Sequence, residues 1–148
     1  MNNVVEFNPK QATIKIVPLV DNIQQAVEKV LPLLQSSIEA NERNMSMEDV
    51  VADMLEGRSL IWGVYLKDTL IAAFTTSVIK HPRRETLFIE FMGGADMKVW
   101  MNAALNALKK VAKDGNLAAI EADGRIGFSK FAKKNGFRET YRHFEMEF

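Results

Sequence analysis

The chain is 148 residues long, 47% hydrophobic and 26% charged, the size and balance of one globular domain, which excludes a disordered or collagen-like chain. Nineteen Lys plus Arg balance nineteen Asp plus Glu, so no general field gathers nucleic acid or an anionic membrane, and no apolar run is long enough to span a bilayer. Cysteine is absent, which removes thiol catalysis, Cys-ligated zinc and disulfide frameworks and agrees with a cytoplasmic setting.

Residues 1–11 read as a polar leader without the basic start and apolar core of a secretory signal. From Ala12 to Leu19, Ile14 and Ile16 alternate with Thr13 and Lys15, the period of a strand. Asp21 or Asn22 then caps a helix whose Ile23, Ala26, Val27 and Val30 recur at helical spacing. Pro32 lacks an amide hydrogen and crowds the preceding turn, so a kink or a second helix from about Leu31 is expected. Ser46, with Asp49 three residues on, forms a variant capping box for a helix striped by Val50, Val51, Met54 and Leu55 and ended by Gly57. A three-strand meander follows: Leu60 to Leu66, a tight turn at Lys67-Asp68, Leu70 to Ile79, the loop Lys80-His81-Pro82-Arg83-Arg84, and Thr86 to Met92. Gly93-Gly94 stops its third strand.

A helix from about Asp96 to Lys113 is apolar over most of its circumference and therefore packs on a sheet, with Asp96 placed to cap it. Leu117 to Ala122 reads as a short strand. Gly124 to Gly127 turns into a helix carrying Phe128, Phe131 and Ala132, closed by Asn135-Gly136. Phe137 to Phe148 reads as a sixth strand, with a bulge near Arg142-His143 where the alternation changes parity. The order predicts a single α/β domain over residues 1–148, built on a six-stranded mixed sheet flanked by helices on both faces.

Charge and motif add little chemistry by themselves. Acidic residues predominate in residues 1–60 and basic ones from residue 124 onward, which leaves open either solvated helix faces or an anion site in the last third. His81 and His143 are the only histidines, and no carboxylate–histidine spacing marks a metal site. The basic loop 80–84 lacks the interleaved aromatics of a nucleic-acid reader.

Three segments follow in order: Ala112-Lys113-Asp114-Gly115, Ile120-Glu121-Ala122 and Phe131-Ala132-Lys133-Lys134-Asn135-Gly136-Phe137. The last is similar to the Leu-Tyr-Glu-Lys-Leu-Gly-Phe of the GNAT superfamily of acyl-CoA-dependent N-acyltransferases, and the chain resembles that superfamily from about Ala12 onward. The resemblance implies a fourth strand splayed from the fifth, with acetyl-CoA inserted between them if the protein is active. It also implies a Gln/Arg-x-x-Gly-x-Gly/Ala segment wrapping the pyrophosphate at a helix N-terminus. The cofactor-binding residues it implies are Phe91, Met92, Gly93, Gly94 and Lys98. Arg125 either joins them at a phosphate or pairs with Asp123 or Glu121. The signature falls near Ala95 to Trp100, where Ala95, Lys98 and Trp100 replace Gln/Arg and two small residues, so Trp100 and Asp96 are expected to close the site.

Glu90 occupies the place of the general base, and alternation sets it on the face opposite Ile89 and Phe91. The family tyrosine that protonates the leaving thiolate falls at Ala132, which leaves Tyr141 on the last strand as either a substitute acid or a half-buried structural tyrosine. Gly124-Arg125-Ile126-Gly127-Phe128, with Gly-Gly before the long helix and a tryptophan inside it, resembles small GNAT-like proteins of tailed phages. That resemblance implies a virion or assembly protein without efficient catalysis, in the host cytoplasm or the virion. The alternative is an active N-acetyltransferase acting on a primary amine. Most members of the superfamily carry a seventh strand. Here Phe144, Met146 and Phe148 flank an open sixth strand, so a second copy or a phage structural protein is expected to cover it.

Overall fold

β-Branched and aromatic residues concentrate between positions 60 and 92, and there the chain forms its longest strands. The computed structural model describes residues 13–148; the leader lies outside them. Strands β1 (Ile14–Pro18), β2 (Leu60–Leu66), β3 (Thr69–Lys80), β4 (Glu85–Gly94) and β5 (Ile120–Ala122) pair in the order β1-β2-β3-β4-β5. The first four are antiparallel. β5 then lies parallel to β4, with Leu87, Phe88 and Ile89 opposite Ile120, Glu121 and Ala122.

Side chains alternate between the two faces of a sheet, so each face needs its own cover. Helix α3 (Met97–Asp114) packs Trp100, Met101, Leu105 and Leu108 against Trp62, Val64, Phe74, Leu87 and Ile89. Helices α1 (Ile23–Glu39) and α2 (Met47–Leu55) cover the other face, with Val30, Leu34, Ile38 and Met54 against Ile61, Ala73 and Phe91. A short 3₁₀ turn, Ile126–Phe128, leads into α4 (Ser129–Lys134). In the α3 layer, Phe74 stacks between Trp62 and Trp100 at centroid distances of 5.8 and 6.2 Å. Both indoles are buried and both find acceptors, Thr76 Oγ1 at 2.9 Å for Trp62 and the Ala95 carbonyl at 2.8 Å for Trp100.

Three expectations change. Helix α1 is a single helix through Pro32, so no second helix starts near Leu31. Pro32 and Glu28, whose carbonyl loses a partner, both face solvent, while the buried stripe Ala26, Val27, Val30, Leu34, Ile38 continues across the proline and holds the turns together. Gly93 and Gly94 do not stop β4; they pair with Ala73 and Ala72 inside it. Their bareness serves close approach instead. A Cβ on Gly93 would lie 2.2 Å from the Leu33 carbonyl oxygen of α1, and one on Gly94 (φ +124°) would lie 2.4 Å from the Ala72 Cα.

The sixth strand does not form: the described residues build a five-stranded sheet, and residues 135–148 carry no regular element. Alternation supplies a strand's propensity, but a strand exists only where a ladder satisfies its amides. Here Ser129 Oγ donates to Glu139 at 3.3 Å, Arg142 Nε donates to Glu139 at 2.8 Å, and the Phe137 amide donates to the Ala132 carbonyl. These contacts fold residues 137–142 against α4 rather than along β5.

Candidate functional site

The ladder between β4 and β5 stops at Ile89 and Ala122. From Glu90 to Gly94, β4 continues with β3 on one side and no strand partner on the other among the described residues. The break coincides with a bulge: Thr75 faces Phe91 and Thr76 faces Ile89, so Glu90 is the extra residue. A bulge adds twist and turns the strand away from its neighbour. It also resets alternation. Ile89 packs in the α3 core and Phe91 in the α1–α2 core, so the two do not share a face as their spacing predicts.

Glu90 is half-buried, and its Oε1 is enclosed with no hydrogen-bond partner. Above it lies Arg43, from the loop between α1 and α2. Asn41 shapes that loop: its Oδ1 accepts from the Arg43 and Met45 amides at 2.9 and 3.4 Å, and its Nδ2 donates to the Ile38 and Met45 carbonyls. The Arg43 guanidinium sits over the rings of Phe88 and Phe91, 4.8 and 4.7 Å from their centroids. Its Nη2 donates to the Glu90 carbonyl, the oxygen of the bulged residue, which a ladder would otherwise satisfy. Its Nε lies 3.9 Å from Asp123 Oδ2. Burial pulls the Arg43 pKa down, against the opposing pull of Asp123 and then Glu90. A guanidinium remains charged under such a shift, so a cation rests over the Phe88 and Phe91 rings here, close to the Asp123 and Glu90 carboxylates.

Sequence reasoning missed Arg43. It stands 47 residues from Glu90 in a polar stretch with no periodic pattern, and only the loop built on Asn41 brings the two together.

At the other end of the open edge, α3 begins without the side-chain cap expected of Asp96. That residue is left-handed (φ 59°, ψ 44°) and makes no cap hydrogen bond, while its carbonyl accepts from Val99. The αL backbone is one that Asp tolerates. Lys98 is exposed on the first turn. Trp100 does not close this end. Its side chain is fully buried and stacked on Phe74 in the sheet core, because the position one turn into the helix faces inward.

Arg125 meets neither Glu121 nor Asp123. It donates from Nη2 to the Ala40 carbonyl just past α1, at 3.2 Å. Ala40 lies seven residues beyond Leu33, the residue that touches Gly93, or about 10 Å further along the helix axis. Arg125 is thus grouped with Arg43 and Asp123 rather than with Lys98. Tyr141 is 74% exposed and lines an open concavity with Lys133 and Arg142, and no hydrogen bond or ring contact joins it to Glu90. The structure therefore gathers Glu90, Phe91, Met92, Gly93 and Gly94 on one open strand edge with Lys98 just beyond it, sets Arg125 on the Arg43–Asp123 side of Glu90, and leaves Tyr141 without a contact to any of them.

No protein-family model and no curated protein matches the sequence. Solved structures match it by fold. A predicted acetyltransferase from Clostridium acetobutylicum, solved with acetyl-CoA, superposes with a TM-score of 0.65 at 17% identity, over 91% of this chain and 96% of that one. Glucosamine-6-phosphate N-acetyltransferase from Arabidopsis thaliana gives 0.64 at 14% identity, over 93% and 99%. An aminoglycoside acetyltransferase from an uncultured soil metagenomic sample, in complex with sisomicin, gives 0.67 at 14% identity, over 91% and 96%. The fold is that of the GNAT acetyltransferases, a mixed sheet with helices on both faces, as the order of elements implied.

Proposed function

We propose that this protein is an acyl-CoA-dependent N-acyltransferase that takes acetyl-CoA into the opening between β4 and β5 and acetylates a primary amine. The observation that carries this reading is the end of the β4–β5 ladder at Ile89, beside the Glu90 bulge. The residues fit the group. The β4 edge from Phe91 to Gly94 has no strand partner on that side among the described residues and offers main-chain amides to a pantetheine arm. The start of α3 carries no side-chain cap, so the amides of Met97 and Lys98, with the Lys98 ammonium, offer donors to a pyrophosphate. The glucosamine-6-phosphate and aminoglycoside substrates named for the structural neighbours belong to those proteins; here the acceptor is set by the chemistry at Glu90.

When bound, acetyl-CoA supplies an acetyl thioester. Glu90 would take the proton that the attacking amine gives up. Arg43 holds the bulge that aims Glu90. Tyr141 lies elsewhere, so solvent supplies the proton for the departing sulfur.

A second reading keeps the fold and sets catalysis aside: a phage-type virion or assembly protein, in the host cytoplasm or the virion. Its support is the Arg43 guanidinium lying against the strand beside Glu90, where an acceptor amine would enter, together with Ala95 and Lys98 in the phosphate-wrapping segment. Calorimetric titration with acetyl-CoA separates the two. Micromolar binding supports the transferase. Absence of heat and of any thermal shift at millimolar acetyl-CoA refutes it and leaves the assembly reading. If acetyl-CoA binds, Glu90→Gln should lower kcat about 10²–10⁴-fold toward an amine acceptor while leaving acetyl-CoA affinity unchanged.

A further inference from the structure

The last pair of the β4–β5 ladder is Ile89 with Ala122. In the same parallel register the next pair would be Glu90 with Asp123, and the Arg43 guanidinium touches both of these residues. Its Nη2 donates to the Glu90 carbonyl and its Nε lies 3.9 Å from Asp123 Oδ2. One flat group from a distant loop therefore reaches both sides of the fork, at the first position past the last rung. The backbone itself permits more ladder. Residues 123–125 belong to no helix, Arg125 is extended (φ −71°, ψ 161°), and the 3₁₀ turn begins only at Ile126. Charge does not part the strands either, because the Asp123 side chain is 62% exposed and its carboxylate can turn into water. Arg43 itself is 24% exposed. A half-buried cation gives up hydration that one long contact with an exposed carboxylate restores only in part. The Phe88 and Phe91 rings keep it at the fork, 4.8 and 4.7 Å from the guanidinium carbon.

We propose that Arg43 is a positioning residue that stops the β4–β5 ladder at Ile89 and so keeps the β4 edge from Phe91 to Gly94 open. It occupies the Glu90 carbonyl, an acceptor that a continuing strand would use, and sets the bulk of the guanidinium against Asp123 on the other side. The bulge starts the divergence of the strands; Arg43 keeps them from closing again. The link to catalysis rests on the transferase reading. Acetyl-CoA binds only the open form, so its apparent affinity falls with the fraction of molecules that are open. A lysine does not replace this arginine. An ammonium is a strongly hydrated point charge without a planar fork, so it neither lies across two rings nor reaches both strands.

Nuclear magnetic resonance of the ligand-free full chain tests the ladder stop independently of acetyl-CoA. The wild type should show no cross-strand backbone contacts between residues 90–92 and 123–125. In Arg43→Ala such contacts should appear and their amides should become protected from exchange. Acetyl-CoA affinity should then fall about tenfold or more, the population shift that about two added ladder hydrogen bonds produce. Millimolar guanidinium chloride, compared with equal sodium chloride, should reverse both changes by refilling the space over Phe88 and Phe91. Arg43→Lys keeps an aliphatic stem on the rings, and it should nevertheless show the new contacts and the weaker binding. If Arg43→Ala does not fold, the lysine variant gives the same decision. A folded Arg43→Ala without new cross-strand contacts overturns the proposal. So do new contacts that guanidinium fails to reverse, or a lysine variant that matches the wild type. A wild type that binds no acetyl-CoA refutes the transferase reading alone, since the contacts across the fork still decide the role of Arg43.

Discussion

Replacing Gly93 by alanine distinguishes packing from ligand binding at the end of β4. The added Cβ would sit 2.2 Å from the Leu33 carbonyl oxygen and 3.2 Å from its carbon. Both sides of that contact are backbone of regular elements, so no rotamer change relieves it. To reach an ordinary separation, α1 and β4 must part by about 1 Å. Overpacking of this kind costs about 1–3 kcal/mol, and the upper end applies where backbone must move. A loss of about 3 kcal/mol is a large share of the 5–15 kcal/mol of a typical domain and lowers Tm by about 6–12 °C in a domain of this size. Urea unfolding of the ligand-free protein, followed by the fluorescence of Trp62 and Trp100, measures it. Gly127→Ala serves as the control: a Cβ there meets nothing within 4 Å, and stability should stay within about 0.5 kcal/mol. If Gly93→Ala also unfolds within about 0.5 kcal/mol of wild type, the close approach to α1 is not why the glycine is there. Were Gly93 present only so that its amide could reach an anion, ligand-free stability would hold and acetyl-CoA affinity alone would fall.

Trp62→Phe should cost about 1–3 kcal/mol, because Thr76, 1% exposed, keeps a buried hydroxyl without its 2.9 Å partner. Adding Thr76→Val should recover part of that loss in the same urea titration, and no recovery would refute the hydrogen-bond account. The Thr86 hydroxyl, 2.5 Å away, is the main reason the Glu121 carboxyl lies below its ordinary 4.5, with burial opposing and His81, at 2.6 Å, assisting. A depressed folded pKa contributes stability that is fully present above the unfolded value and is lost as pH falls through the folded one. Glu121→Gln should therefore flatten the acid limb of the stability–pH curve below about pH 4.5, and an unchanged limb would refute it. Arg43 and Asp123 meet at 3.9 Å with the carboxylate largely in water, so a double-mutant cycle should give a coupling below about 1 kcal/mol. Arg43→Ala alone should destabilise by more than Asp123→Ala, since it uncovers Phe88 and Phe91 and strips the Glu90 carbonyl of its donor.

Features confined to a few neighbouring residues were legible in the sequence. Ser46 and Asp49 close their capping box in both directions, at 2.9 and 3.1 Å. Asn22 caps α1 through the Gln25 amide at 3.1 Å. The turn at Lys67, the apolar face of α3 and a short strand beside β4 all stand where periodicity and turn residues put them. The order of these elements was enough to indicate the fold.

The site's geometry was not legible, because its partners lie far apart in the chain. Glu90 becomes the extra residue only through its register against Thr75 and Thr76 on β3, and that one-residue insertion sends Ile89 and Phe91 to opposite cores, where local alternation puts them together. Arg43 reaches Glu90 across 47 positions and Arg125 reaches Ala40 across 85. Gly93 is explained by a helix carbonyl sixty residues earlier, and Trp100 by a ring on β3. Residues 137–148 show the same division from the other side. Their alternation is intrinsic, but whether they form a strand depends on an edge to pair with, and α4 turns them away from the one their own chain offers. Hydrogen bonds and caps within three or four residues are dictated by local sequence; bulge register, close backbone approach and strand pairing are decided only when distant segments pack.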